Sequence, residues 1–373
     1  IVVFIVLVTA FIGVGSFLTT SEIVTLQVVA LNDTSQQIQE FQEVDGLTVL
    51  ASFNYENLQL FPIVGKASLN QRDYITLSEA MKNNMVKLNE TGSVNELSID
   101  NMSPAYIFIQ AGDIVKGGKQ DRTLQTDLIL PPKATGVALN SFCVEQGRWR
   151  QREGEDVSYF SGSEQNLSSR DLKIASKKQG NQSQVWGKVK EQQDKLNKNV
   201  SEKYDSDIQV EDDVSATSYQ LTLENEKLEE FKTEYKNKLI SILKTENIVG
   251  VAYAVNGEVY GLDAFNNTQL FRDLADKMIN AFIIEAISNK DEELEYNTVT
   301  IGDVTSVLAV HKENKPSNEN HQDLNSITAY DFQEFGSINR YVTTDTELKG
   351  WLHINYLLAS KESSHSLDYT PRR

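Results

Sequence analysis

Short apolar runs separated by Gly, Pro, Asn and Asp fill the chain from Gly46 to Arg150. Runs such as LTVLASFNY, LQLFPIV, AYIFIQAG, TDLIL and ALNSFCVEQ have the length and the flanking turn residues that are typical of antiparallel strands. Among them, TLSEAMKNN begins with a Thr76 or Ser78 cap followed by helix formers, which predicts one helix. Residues 46–150 are therefore predicted to be mostly antiparallel β structure.

Helical spacing replaces this pattern later in the chain. Apolar side chains recur on one side of three segments, about 183–197, 223–245 and 269–288, and we interpret them as core-packing stripes. Residues 153–182 lack apolar periodicity and are rich in Ser, Gln, Gly and charge, which predicts a long surface loop or a flexible connection. The residues of the three stripes are Val185, Val189 and Leu196; Leu228, Phe231, Tyr235, Leu239 and Ile242; and Phe271, Leu274, Met278 and Phe282.

A β-hairpin is predicted between the second and third helices. Asn256-Gly257 separates IVGVAYAV from EVYGLDAF, and both turn residues tolerate the positive φ of a type I′ turn. After the third helix come VTSVLAV, a polar insertion at 311–326 and a final strand, GWLHINYLLA. The fold class is therefore predicted to be α+β, with a mostly antiparallel β N-terminal half and with helices and a hairpin in the second half. We expect both parts of this 46–357 domain to share one core.

The two ends of the chain differ from this domain. Residues 1–18 are uncharged and almost wholly apolar, which predicts a signal peptide or membrane anchor; the alternative is a buried core segment. Residues 19–45 predict a polar spacer and 358–373 a disordered tail. The expected location is exported or membrane-anchored and extracytoplasmic, with membrane contact through 1–18 if it is uncleaved. Sequons compatible with a glycosylated exterior lie at Asn32, Asn89, Asn101, Asn166, Asn181, Asn199 and Asn266.

Composition restricts the partners and cofactors. The formal net charge of −18 makes nucleic acid an unsuitable partner for the molecule as a whole. Cys143 is the single cysteine, so the chain has no intrachain disulfide and no metal site built on paired cysteines. Four scattered histidines do not have the spacing of a metal site. Neither a Walker loop nor a dinucleotide fingerprint is present, and no cofactor is predicted.

Two polar blocks stand out in this acidic chain. The first, GDIVKGGKQDR, has a Gly117-Gly118 turn that lets backbone amides approach a ligand, although a solvated hairpin turn explains it equally well. The second, FCVEQGRWR, places an arginine beside an indole at a strand end, a combination that can hold a carboxylate or phosphate. Basic residues concentrate here: Lys116, Lys119, Arg122, Arg148, Arg150 and Arg152. This concentration is what a local anion site requires.

These blocks also carry a family resemblance. TLSEAM, SVNELSIDNMS, AGDIVKGGKQDR, LPP, FCVEQGRW and IVGVAYAVNGEVYGLDAF occur in the order and spacing of the ARG and Rhodanese-Phosphatase-superfamily-associated protein domain. The chain resembles this uncharacterised family from about residue 46 to residue 286, and more loosely through EFGSINRYV and GWLHINYLL. The family's association with ADP-ribosyl glycohydrolases implies a role near NAD or ADP-ribose metabolism.

The polar residues that match the family define a candidate site. We expect Arg122 and Arg148 to clamp an anion, and Trp149 to stack on the ligand. The remaining candidates are hydrogen-bonding or charged ligand contacts at Lys119, Gln120 and Gln146, and general acid or base groups at Asp113 and Glu145. In the alternative interpretation, Arg122–Glu145 and Asp113–Lys119 are buried ion pairs that join two strands.

Three functional hypotheses follow from this site. The favoured one is a ligand-binding domain for an ADP-ribose-like, NAD-like or other anionic ligand. The alternatives are a hydrolase that uses Asp113 and Glu145, and a structural surface protein. A Cys143 nucleophile is less favoured than a small buried residue, because no histidine lies near it in sequence. If both blocks surround one open cleft, the arrangement supports a ligand-binding site. If the two blocks bury each other, it supports a structural role.

Overall fold

The computed structural model describes residues 43–148 and 160–359, apart from the side chains of residues 164 and 179. The predictions for residues 1–18, for Trp149 and for the tail beyond residue 359 lie outside the described residues. Among the helices of the described residues, none is both long and apolar enough to cross a membrane.

The N-terminal half is built from short strands, as the apolar runs predict. Its single α-helix, α1 (Leu77–Lys82), begins at Thr76, whose side chain accepts a hydrogen bond from the amide of Glu79. The strands are β1 (Glu43–Val44), β2 (Leu47–Val49), β3 (Phe53–Tyr55), β4 (Leu58–Gly65), β5 (Tyr74–Thr76), β6 (Val86–Glu90), β7 (Glu96–Asn101), β8 (Tyr106–Ile109), β9 (Asp113–Gly117), β10 (Arg122–Leu124), β11 (Leu128–Leu130) and β12 (Val137–Cys143).

The predicted surface loop at 153–182 is wrong over the part that the structure describes. This region contains β13 (Phe160–Leu167), α2 (Arg170–Ile174) and a π-helix (Ala175–Gln179). Polar side chains of this segment lie inside the protein, since Asn166, Arg170 and Lys173 are all buried. Polarity without periodicity therefore indicates a surface loop only when the polar groups reach water, and here several of them are enclosed by protein.

The second half contains the predicted helices and hairpin, all of which are confirmed. The helices are α3 (Gln182–Tyr204), α4 (Tyr219–Leu223), α5 (Glu226–Leu239, continued by a 3-10 helix Ile240–Lys244), α6 (Thr268–Ser288) and α7 (Ile301–Glu313). The strands are β14 (Ile248–Val255), β15 (Glu258–Phe265), β16 (Asn318–Asp323), β17 (Thr328–Phe335), β18 (Ile338–Asp345) and β19 (Gly350–Leu358). Between β14 and β15, Asn256 and Gly257 have φ values of 50° and 74°, as a type I′ turn requires.

The strands of residues 43–148 and 160–359 form three sheets. The largest has the order β1-β2-β4-β14-β15-β19-β18-β17-β16, with β3 also paired to β4, and all of its pairs are antiparallel. The second has the order β13-β9-β10-β12-β7-β6, and the third is β11-β8-β5, in which β5 and β8 are parallel. Because β4 of the first half pairs directly with β14 of the second, the two halves share a sheet.

The two halves also share a hydrophobic core. Leu58, Phe108 and Phe142 from the first half belong to the same buried cluster as Tyr253 and Phe271 from the second. Helix α6 packs on β13 and β14 and is buried along most of its length. The α+β fold class and the predicted common core are therefore confirmed.

Several of the predicted sequons lie inside this fold. Asn101, Asn166, Asn199 and Asn266 are buried. The Nδ2 atom of Asn199 donates to the carbonyl of Ile287 at 2.7 Å. In the folded protein these four side chains are therefore poorly placed to carry a glycan.

Candidate functional site

The Gly117-Gly118 turn between β9 and β10 is packed against protein. Both glycines have positive φ, and a Cβ atom at Gly118 would overlap the ring of Phe160. The carboxylate of Asp121 closes the turn by accepting a hydrogen bond from the amide of Gly117 at 3.0 Å. Close packing thus requires a glycine at position 118, and the positive φ favours one at position 117.

The second polar block meets the first through Arg148. Its Nε donates to Glu145 Oε2 at 2.7 Å, and its Nη1 donates to the carbonyl of Gly118 at 3.2 Å. Nη2 of Arg148 lies 3.4 Å from Asp121 Oδ1. Glu145 also accepts from Ser215 Oγ at 2.5 Å, and both carboxylates are buried. The structure therefore joins the two blocks, as predicted, but through contacts with each other.

Arg122 and Gln120 are inside the protein. Arg122 is 1% exposed, and it donates to Gln120 Oε1 at 3.2 Å and to Cys143 Sγ at 2.6 Å. Its salt-bridge partner is Glu90 at 3.4 Å, whereas Gln120 Nε2 donates to the carbonyl of Glu145 at 2.9 Å. The predicted Arg122–Glu145 ion pair is wrong, because Arg122 pairs with Glu90 instead. An open anion clamp requires an accessible arginine, whereas Arg122 is buried.

Asp113 forms a buried ion pair with Lys277, from α6, at 2.5 Å. It also accepts a hydrogen bond from the amide of Gln110 at 2.9 Å. The predicted pair with Lys119 is therefore wrong. Lys119 and Gln146 are exposed on the surface.

The two proposed catalytic carboxylates are far apart along the sheet. Val115 of β9 and Cys143 of β12 lie opposite the same residue of β10, Arg122. Asp113 is two residues before Val115, and Glu145 is two residues after Cys143. Because β9 and β12 run in the same direction, the offset is roughly 13 Å along the strands. Carboxylates with this offset do not face each other across one reacting bond.

Cys143 is fully buried, and burial raises the pKa of its thiol to about 11, although the Arg122 guanidinium opposes the shift. A thiol in this environment is a poor nucleophile at neutral pH. This supports the interpretation of Cys143 as a small buried residue.

We expect native Cys143 to react with iodoacetamide at pH 8 about 100-fold more slowly than the same thiol in the unfolded chain, because its thiolate fraction is lower. The measurement is the alkylation rate by mass spectrometry with and without urea. Equal rates in the two states would contradict the burial and the raised pKa of Cys143.

A polar pocket of about 480 Å³ lies beside the first block, on the other side of β9. Strand β13 pairs with β9 so that Ser161 is opposite Lys116, and an irregularity between Gly162 and Leu167 opens the strand at the pocket. Helices α4 and α5 complete the wall. The lining residues are Lys116, Ser161, Gly162, Ser163, Gln165, Asn166, Gln220, Glu224 and Glu229.

Hydrogen-bond acceptors dominate the wall of this pocket. Gln220 is buried, and its Nε2 donates to Glu224 Oε1 at 2.8 Å, which fixes the orientation of the amide. Gln220 Oε1 and the buried Asn166 Oδ1 have no hydrogen-bond partner within the described residues. Lys116 pairs with Glu224 at 2.7 Å, and Glu229 pairs with Lys232. Two side chains of the pocket lining therefore carry buried amide oxygens that have no donor within the described residues.

Sequence reasoning identified one residue of this pocket, Lys116, and missed the others. Ser163, Asn166 and Gln220 lie in stretches that have no motif and no periodicity. The one signal was the run SGSEQN between the apolar residues Phe160 and Leu167, and it was interpreted as part of a loop. Within 43–148 and 160–359, no group of three or more His, Cys, Asp or Glu side chains is arranged to hold a metal ion.

The fold and this pocket define a class: an α+β domain of antiparallel sheets with a small, acceptor-rich polar pocket at a sheet edge. The chain belongs to the family described as the ARG and Rhodanese-Phosphatase-superfamily-associated Protein domain, whose model matches residues 46–356. No curated protein and no solved structure matches the chain.

Proposed function

We propose that this domain binds a small polyhydroxylated molecule, such as a sugar or a ribosyl group, in the pocket between β13, α4 and α5. The observation that carries the proposal is the pair of buried amide oxygens, Asn166 Oδ1 and Gln220 Oε1, that have no partner within the described residues. A buried acceptor without a donor is unfavourable, so a small rotation of either side chain toward the cavity would let a ligand hydroxyl supply the missing hydrogen bond.

The charge of the pocket favours a neutral, donor-rich ligand over a phosphorylated one. Glu224 and Glu229 line the cavity, and among the described residues the lining contains one basic residue, Lys116, which is paired with Glu224. Ser161 and Ser163 add hydroxyl groups that can both donate and accept. The cavity volume of about 480 Å³ lies within the range of small-molecule sites.

The ligand expected from the sequence was anionic. The ligand proposed here contains a ribosyl group or another sugar but no phosphate. Arg122 and Arg148 are occupied by carboxylate and carbonyl groups of the protein, so they support structure more than anion binding. Binding is favoured over hydrolysis because Asp113 and Glu145 have separate partners, Lys277 and Arg148. Export or membrane attachment through residues 1–18 stays a prediction.

Calorimetric titration of the full chain with D-ribose, D-glucose and D-ribose 5-phosphate tests the chemistry of the ligand. We expect saturable binding of at least one neutral sugar, and weaker binding of the phosphate ester because Glu224 and Glu229 face it. If the phosphate ester binds and neither neutral sugar does, the proposed ligand class is wrong.

A further inference from the structure

A row of polar side chains crosses one face of the large sheet, away from the pocket lining. Asp263 pairs with Asn355, which pairs with Tyr341. One step along the strands on the same face, His353 pairs with Thr343, which pairs with Tyr330. Four adjacent strands, β15, β19, β18 and β17, thus supply one polar surface in the interior, where apolar residues would be expected.

His353 forms the centre of this row. Its Nδ1 lies 2.6 Å from Asp127 Oδ2 and its Nε2 lies 2.9 Å from Asp263 Oδ1. The carboxylates raise the pKa of His353 against the opposing effect of burial, and the imidazole lowers the pKa of Asp127, again against burial. A protonated His353 between two carboxylates leaves the group of three with one net negative charge.

Lys177 lies over this surface. It belongs to the π-helix Ala175–Gln179, a rare conformation that occurs frequently at functional sites. Its Nζ is 3.9 Å from the ring centroid of Tyr341 and 3.3 Å from Asn355 Oδ1. The residue is half-buried, and these two contacts place its amine against the polar row.

The rings that Lys177 faces carry unused hydroxyl groups. Tyr330 and Tyr341 are 5% and 3% exposed, and neither hydroxyl has a hydrogen-bond partner within the described residues. The Nζ of Lys177 is 5.7 Å from the Tyr330 ring centroid. A buried hydroxyl without a partner is unfavourable, and a ligand oxygen that accepted from it would remove this penalty.

We propose that Lys177 is a nucleophilic amine that captures a small aldehyde or ketone as an imine, with Tyr330 or Tyr341 donating to the carbonyl oxygen. The neutral amine attacks the carbonyl carbon, a C–N bond forms and the C=O π bond breaks to give a carbinolamine after proton transfer from nitrogen to oxygen. Loss of the hydroxyl group as water then gives the C=N bond. Hydrolysis reverses the sequence, so no oxidant or reductant is needed.

The surrounding charges favour this reaction over acylation. Burial and the neighbouring Lys173 lower the pKa of Lys177 to about 8, against the opposing effects of Asp127 and Asp263, so a larger neutral fraction is available than for an exposed lysine. The charged and titratable groups that face Lys177 are Asp127, Lys173, Asp263, Tyr330, Tyr341 and His353. An imine can be protonated and keep a positive charge opposite the carboxylates, whereas an amide cannot.

Reductive trapping tests the proposal on the full chain. The protein is treated with acetaldehyde and sodium cyanoborohydride between pH 6 and pH 10, and the alkylation rate of each lysine is measured by peptide mapping. At pH 7 we expect Lys177 to react about tenfold or more faster than the exposed Lys87 and Lys178, because its neutral fraction is larger. Its rate should level off above about pH 8.

If the alkylation rate of Lys177 at pH 7 is equal to or below that of Lys87, the proposal is wrong. That result is expected when the cation–π contact is only structural and protects the amine from the aldehyde. Lys177→Arg should remove the fast-reacting site while leaving sugar titration unchanged, which separates this inference from the proposed function. If Lys177→Arg does not fold, the wild-type pH profile decides the outcome alone.

Tyr341→Phe should slow trapping at Lys177 without shifting the midpoint of its pH profile. An unchanged trapping rate in both Tyr341→Phe and Tyr330→Phe would exclude the proposed role of the tyrosine hydroxyls.

Discussion

His353→Gln is expected to lower the free energy of unfolding by about 3 kcal/mol or more near neutral pH, because the loss of one partner leaves buried charge uncompensated. The variant removes the imidazolium that lies between the Asp127 and Asp263 carboxylates, all three being 2% exposed. The measurement is urea unfolding of both proteins. The matched control is His321→Gln, since His321 also lies 2.7 Å from an aspartate but is 58% exposed.

The effect of His353→Gln should depend on pH with a defined sign. The pKa of His353 is raised in the folded protein, so its contribution to stability is fully present below the ordinary histidine pKa of 6.5 and is lost as the pH rises through the raised value. The stability difference between wild type and His353→Gln should therefore shrink at alkaline pH. A difference that stays constant or grows would show that His353 is neutral in the folded state.

Lys277→Met is the second change with a large expected effect, a loss of about 3 kcal/mol of stability, because the Asp113 carboxylate is left in the interior without its cation. Lys277 and Asp113 are 2.5 Å apart, and both side chains are almost completely buried. The double variant Lys277→Met/Asp113→Asn should recover most of the loss, because asparagine is neutral and still accepts from the Gln110 amide.

A double-mutant cycle by urea unfolding measures this coupling. The control is Lys190→Met, in which the lysine and its partner Asp194 are 64% and 59% exposed and the expected change is within about 0.5 kcal/mol. If the double variant is as unstable as the sum of both single variants, Asp113 and Lys277 are not an interacting pair. Retention of wild-type stability in Lys277→Met would instead favour a functional role for Asp113.

Much of the fold is predictable from local patterns. The hairpin at Asn256-Gly257 follows from two residues that tolerate positive φ, and α6 follows from apolar residues at helical spacing. Both signals are local, so no knowledge of the rest of the chain is needed. The strands β17 and β18 were not predicted, because they lie after a polar insertion whose strand, β16, is exposed along its whole length.

The partners of buried charges cannot be read from the sequence in the same way. The two polar blocks were expected to meet, and they do so where Arg148 contacts Gly118 and Asp121. Asp113, however, pairs with Lys277, which is 164 residues away, and Arg122 pairs with Glu90. Proximity in sequence favours Lys119 as the partner of Asp113 and Glu145 as the partner of Arg122, but tertiary packing brings in α6 and β6 instead.

The pocket was missed for a related reason. Its wall comes from β13 and α4, where polar side chains are buried and no periodicity marks an element. Composition alone does not distinguish a solvated polar loop from a polar cavity wall, since both are rich in Ser, Asn and Gln. The difference depends on whether the fold encloses the segment.

The position of the binding site is tested most directly by titrating Gln220→Leu with the neutral sugar that binds wild type most tightly, with Gln209→Leu as the exposed control. Leucine has a similar volume and removes both the unpartnered acceptor Oε1 and the hydrogen bond from Nε2 to Glu224, so the variant should lose about 1 kcal/mol of stability or less and bind about tenfold more weakly, while the control binds normally. Unchanged affinity in a folded Gln220→Leu variant would contradict the assignment of the site to this pocket.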